Sequence, residues 1–172
     1  RVLIVGDVGR GKTRLTARLL EGLVALVGPE SVTVIDMAPT TVPGVGARLS
    51  AYTDVVERVR YLAPPVVRAP RLEGRSSEEV LALAEANRAA IEPLLDDYLG
   101  DPTPVLVIND LTVYLHAGSV EKVLECIRAA ETFLANAYSG EALSDDKGSG
   151  VTAREKELLS RLLRHVDLVV SL

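Results

Sequence analysis

The chain has 172 residues, 48% of them apolar and 25% charged, with a formal net charge of -5. That length suits one domain around one core, and no apolar run approaches the roughly 18 residues of a helical membrane span. The acidic balance argues against a broad nucleic-acid surface, and no basic segment followed by an apolar one marks a secretory leader, so a cytoplasmic location is expected.

The first apolar run, Val2 to Val5, reads as a strand. It breaks into the octet Gly6-Asp7-Val8-Gly9-Arg10-Gly11-Lys12-Thr13. A helix pattern over Gly11 to Val27 follows, with Leu15, Leu19, Leu23 and Leu26 on one face. A second strand runs over Val32 to Ile35 and ends on Asp36. Residues 38 to 50, with two prolines and two glycines, read as loop, and Val59 to Leu62 as an edge or hairpin strand. After a Pro- and Arg-rich loop, Ser76 and Glu79 form a capping box that opens a helix to Tyr98. Pro93 is expected to kink that helix or start a new one at Glu92.

Pro104 to Asn109 is a third continuous apolar strand, closed by Asp110. Ser119 is expected to cap a helix whose apolar face includes Val123, Ile127, Ala130 and Leu134. The polar stretch 139 to 150 reads as a flexible loop, and Thr152 with Glu155 as a second capping box over Leu158, Leu159, Leu162 and Leu163. Val166 to Ser171 is the fourth strand. Continuous apolar strands alternating with helices predict an α/β fold with a mainly parallel sheet covered on both faces. Cys126, alone and in a helical apolar pattern, reads as a buried reduced thiol. Glutamine is absent, asparagine is rare and prolines sit in loops, a composition that leans toward a thermophilic source.

The octet carries the chemistry. Glycines at this spacing let successive backbone N–H groups turn toward phosphate oxygens, and the following helix N-terminus adds partial positive charge. Lys12 is placed to reach the β/γ-phosphates and the Thr13 hydroxyl to ligate Mg²⁺. Arg10 and Arg14 flank the loop and add positive charge.

The octet resembles the Walker A motif of the P-loop NTPase superfamily, and Val105-Leu-Val-Ile-Asn109-Asp110 resembles its Walker B strand. The resemblance implies a three-layer αβα sandwich, residues 1–172 forming one nucleotide-binding domain with room for further residues at either end. It also implies binding of Mg²⁺ with ATP or GTP. ATP is expected over GTP, because no Asn-Lys-x-Asp element is present. The implied nucleotide set is Gly6, Asp7, Val8, Gly9, Arg10, Gly11, Lys12, Thr13 and Arg14, with Thr13 and Asp110 on the metal.

Many ATP-hydrolysing members carry Glu after the Walker B Asp, where this chain has Leu111. Asp36 is then the alternative acid, for metal or for an acceptor hydroxyl, as in polynucleotide kinases of the Clp1/Grc3 type and SIMIBI-class ATPases; the plainer reading has it cap the next loop. The stretch from Met37 to Gly44 loosely resembles those kinases. Three functions follow: an ATPase or phosphotransferase using Lys12 and Asp110, a small-molecule or polynucleotide kinase using Asp36, and a non-catalytic nucleotide-binding module. Arg58, Arg60, Arg68, Arg71 and Arg75 read first as a solvated stretch, with a phosphate lid or a polynucleotide contact as alternatives. His116 and His165 have no metal-spaced partner and read as surface or packed residues.

Overall fold

The computed structural model describes all 172 residues. Six strands form one sheet: β1 (Val2–Gly6), β2 (Val32–Asp36), β3 (Arg60–Leu62), β4 (Val105–Asn109), β5 (Thr132–Tyr138) and β6 (Leu168–Ser171). They lie in the order β3-β2-β4-β5-β1-β6, and every pairing is parallel. The helices are α1 (Lys12–Val27), α2 (Pro70–Glu73), α3 (Ser77–Gly100), α4 (Thr112–Leu115), α5 (Val120–Ala129) and α6 (Val151–Leu163). The fold is thus α/β with an open parallel sheet, compatible with a three-layer arrangement.

Strand alternation sorts the core into two halves. Val105 and Val107 of β4 join Ile4, Leu20, Val24 and Val34 in one cluster, packed against α1. Leu106 and Ile108 face the other way, onto Ile91, Leu95 and Tyr98 of α3, Ile127 of α5 and Leu158 of α6. Both faces are therefore covered, which is why the central strands are apolar on both faces along most of their length, with buried polar residues at Thr33, Asp36, Asn109 and Asn136.

Four local expectations change. Leu134 belongs not to a helix but to β5, because α5 stops at Ala129 and the chain turns at once into the sheet. Pro93 lies inside a continuous α3 rather than ending it. Ser76 caps α3 by accepting from Glu79 N at 3.2 Å, but Glu79 answers to Arg75 N at 2.8 Å. At α6 there is no capping box. Gly150 (φ 83) is the N-cap, Thr152 lies inside the helix, and Glu155 turns inward, 2% exposed. The weaker strand signal at Val59 to Leu62 is β3, a parallel edge strand. Cys126 is wholly buried, and burial pushes its thiol up to about 12.

Candidate functional site

The carboxyl ends of the strands open onto a cavity of about 540 Å³. In open parallel sheets this edge is where backbone groups and helix N-termini converge, so ligands collect there. One wall is the glycine loop between β1 and α1. Gly9 (φ 75) and Gly11 (φ 85) occupy left-handed backbone that only glycine adopts freely, and Gly11 is the N-cap of α1. Val8 through Arg14 line the cavity. Lys12 is 8% exposed, and its Nζ donates to the Asp7 carbonyl at 2.7 Å. Burial lowers its pKa, while Asp110 and Asp7 work the other way.

Two members of the expected phosphate set support the loop instead of lining the cavity. Gly6 ends β1 in register with Tyr138, and a Cβ there would meet the Leu172 carbonyl oxygen at 2.8 Å. The Asp7 carboxylate accepts from Val8 N, Glu141 N and Ala142 N at 2.7, 3.1 and 3.3 Å, which lowers its pKa. It ties the glycine loop to the β5–α6 loop.

Asp110 also lines the cavity, close enough to Lys12 for each to act on the other's charge. It follows β4 with φ 55, an uncommon conformation for a non-glycine residue that aspartate tolerates better than most. Its Oδ2 is buried without a hydrogen-bond partner, and burial raises its carboxyl to about 6 against the pull of Lys12. Thr13 shares the same cavity.

Asp36 is placed differently from the expectation that it reaches metal or acceptor. It is wholly buried beneath the loop that follows β2 and does not line the cavity. Oδ1 accepts from Ala38 N at 3.2 Å and Asn109 Nδ2 at 2.8 Å; Oδ2 accepts from Leu49 N and Tyr61 OH, each at 2.7 Å. Four donors on two oxygens leave no room for a cation, so this carboxylate serves as a tether. The same donors continue as a buried chain. Asn136 Nδ2 donates to Asn109 Oδ1 at 2.7 Å and to Thr16 Oγ1 at 2.9 Å, and Thr16 donates to the Lys12 carbonyl.

The third wall is built from residues that read first as solvated or packed. Arg71, His116, Tyr138 and Glu155 all line the cavity. Of the arginines that read as a solvated stretch, Arg60 pairs with Asp97 and Arg68 with Glu73, whereas Arg71 is 6% exposed and bonds Glu155 through both Nη atoms. His116 is 4% exposed, its Nε2 2.7 Å from Glu155 Oε2. The Tyr138 ring lies between the two walls, its centroid 6.0 Å from Lys12 Nζ and 5.1 Å from the Arg71 guanidinium carbon. Sequence spacing had no means of joining residues 71, 116 and 155, which three separate elements bring together.

The charges follow a pattern. Arg10, Lys12, Arg14 and Arg71 line the cavity against Asp110 and Glu155, so its wall is net positive on a net negative chain. Such a concave wall concentrates anions. No three His, Cys, Asp or Glu side chains gather in a metal-holding cluster, and no helix is long and apolar enough to cross a membrane. No family model matches the chain, and no curated protein matches it.

Proposed function

We propose that the protein is a Mg²⁺-dependent, ATP-binding P-loop NTPase that hydrolyses or transfers the terminal phosphate. One observation carries the reading: a loop with left-handed Gly9 and Gly11 sets Lys12 and Thr13 at a helix N-terminus, on a net positive cavity wall that Asp110 also lines. A triphosphate needs this combination of inward amides, a fixed cation and a helix dipole.

The residues present also suit the metal. Mg²⁺ takes hard oxygen ligands and keeps several waters, so few protein donors suffice. The unpartnered Asp110 Oδ2 and the Thr13 hydroxyl are such donors on one cavity. Bound there, the metal would neutralise developing phosphate charge. The protein's own part is positioning: loop amides and Lys12 hold the β/γ-phosphates, and Lys12 exchanges its Asp7 carbonyl for phosphate oxygen. ATP is preferred to GTP in this reading.

The test is a thermal-shift comparison of ATP, GTP and their diphosphates with Mg²⁺, with Lys12→Ala as control. Stabilisation by ATP that Lys12→Ala loses, together with its turnover, is the expected result. No shift with any nucleotide overturns the reading.

A further inference from the structure

Beyond the share of Arg71 in the cavity's positive charge, the nucleotide reading does not use the third wall, which holds a buried cluster of titratable groups. Arg71 Nη1 and Nη2 donate to Glu155 Oε1 and Oε2 at 2.9 and 3.1 Å, a bidentate pair that occupies both carboxylate oxygens as acceptors. Both Glu155 oxygens act as acceptors toward Arg71, so the 2.7 Å contact between His116 Nε2 and Glu155 Oε2 puts the ring proton on Nε2. In the neutral ring Nδ1 then carries the lone pair, and Nδ1 is itself buried, with no hydrogen-bond partner in the protein. An imidazole steered by a carboxylate through one nitrogen, with the other left as acceptor, has the form of a general base.

The rest of the cavity offers no rival with the same freedom. Asp36 has both oxygens occupied and lies outside the cavity. The residue after Asp110 is Leu111, wholly buried in the core. Asp110 itself lies beside Lys12 and is the candidate metal donor. The cluster lies near the glycine loop, since the Tyr138 ring centroid is 5.1 Å from the Arg71 guanidinium carbon and 6.0 Å from Lys12 Nζ.

We propose that His116, held by Glu155 and Arg71, is the proton acceptor for the hydroxyl nucleophile that attacks the terminal phosphorus. The proposal rests on the nucleotide reading. The nucleophile is water or an alcohol acceptor. Its oxygen bonds to the γ-phosphorus, and the bond from that phosphorus to the β–γ bridging oxygen breaks. The bridging oxygen leaves with the electron pair as the nucleoside diphosphate. The nucleophile's proton passes to His116 Nδ1, and Glu155 stabilises the resulting imidazolium. The charged or titratable groups around the ring are Glu155 and Arg154 of α6, Arg71 of α2 and Tyr138 of β5, with Lys12 and Asp110 also lining the cavity.

His116→Gln and His116→Asn separate this role from a structural one, because glutamine can keep the Nε2-type donation to Glu155 while removing the base. Under single-turnover conditions the expected result is a rate loss of about 10²-fold or more, with ATP-induced stabilisation retained. His116→Ala should regain rate with added imidazole. A glutamine variant within about threefold of the parent rate overturns the proposal. Should every variant fail to fold, ¹⁵N-histidine spectra of the parent protein decide it: an Nε2–H tautomer is expected, and an Nδ1–H tautomer overturns it. Loss of ATP stabilisation in the parent protein would instead strike the nucleotide reading, leaving the tautomer result to stand alone.

Discussion

Asn136 and Asn109 meet side chain to side chain at 2.7 Å, both wholly buried, on adjacent strands. Their orientation is forced from both ends. Asn136 Oδ1 accepts from Asp110 N at 2.9 Å, so its Nδ2 must donate; Asn109 Nδ2 donates to Asp36 Oδ1 and to the Ala47 carbonyl at 2.9 Å, so its Oδ1 must accept. The pair links the base of α1 to the edge strand through Thr16, Asp36 and Tyr61, and it fixes the backbone of Asp110.

Asn136→Ala strands the Asp110 N–H and the Asn109 side-chain Oδ1 in the interior. Each unsatisfied buried group costs about 1–3 kcal/mol, so urea denaturation should show a loss of at least about 2 kcal/mol. Asn109→Ala combined with Asn136→Ala should cost less than the sum of the single changes, because the two act on one network.

Asp110 gives a pH signature in the metal-free protein. Its carboxyl titrates near 6 when folded, against 3.8 for the ordinary group. Between these values the folded state holds more protons than the unfolded one, so stability falls as pH rises from about 4 to about 6. The charged form is thus destabilised by about 1–3 kcal/mol. Asp110→Asn accepts the left-handed φ and should flatten this slope, raising Tm above pH 6 while abolishing any Mg²⁺ dependence. Thermal melts across pH 4 to 8, with and without Mg²⁺, measure both effects.

Gly11→Ala tests the phosphate loop without changing any contact, since a Cβ there meets nothing within 4 Å. The cost is the backbone at φ 85 alone, about 1–2 kcal/mol. Tm should fall by a few degrees, and the ATP-dependent shift should vanish through displaced amides. A variant that binds ATP normally would show that the loop does not hold phosphate.

Asp7→Ala should free the β5–α6 loop. The Asp7 carboxylate is the acceptor for Glu141 N and Ala142 N, and a Cβ at Gly140 would fall on that carboxylate. Hydrogen exchange should quicken at Glu141 and Ala142, with proteolytic nicking in 139–150, while the sheet amides stay protected. Unchanged exchange there would mean that other contacts hold the loop.

The strand before the glycine octet, the helix after it and the strand that ends before Asp110 were legible because their patterns are local: each needs only neighbours in sequence. β5 was not. Thr132–Tyr138 follows α5 so closely that Ala130 and Leu134 continue its helical spacing, and a run of seven residues does not separate a buried strand from a helix by period. Glu155 was misread for a related reason. Thr152 and Glu155 have the spacing of a capping box, but Gly150 caps the helix and frees Glu155 for Arg71, 84 positions away. Asp36 shows the converse error: a carboxylate at a strand's end is well sited for chemistry, and only its four donors reveal that it is used for structure.

The position of β5 has a further consequence. It lies between β1, which leads into the glycine loop, and β4, which leads into Asp110. Two strand spacings of about 4.8 Å therefore separate those two lines of chain, and the distance is set by backbone hydrogen bonding. Side-chain changes in β1 or β4 have little leverage over it. Tyr138, the last residue of β5, stands in that gap with Lys12 on one side and Arg71 on the other. The span between the glycine loop and Asp110 is in effect a ruler whose adjustable mark is residue 138, which makes that position the first to vary when a different ligand size is wanted.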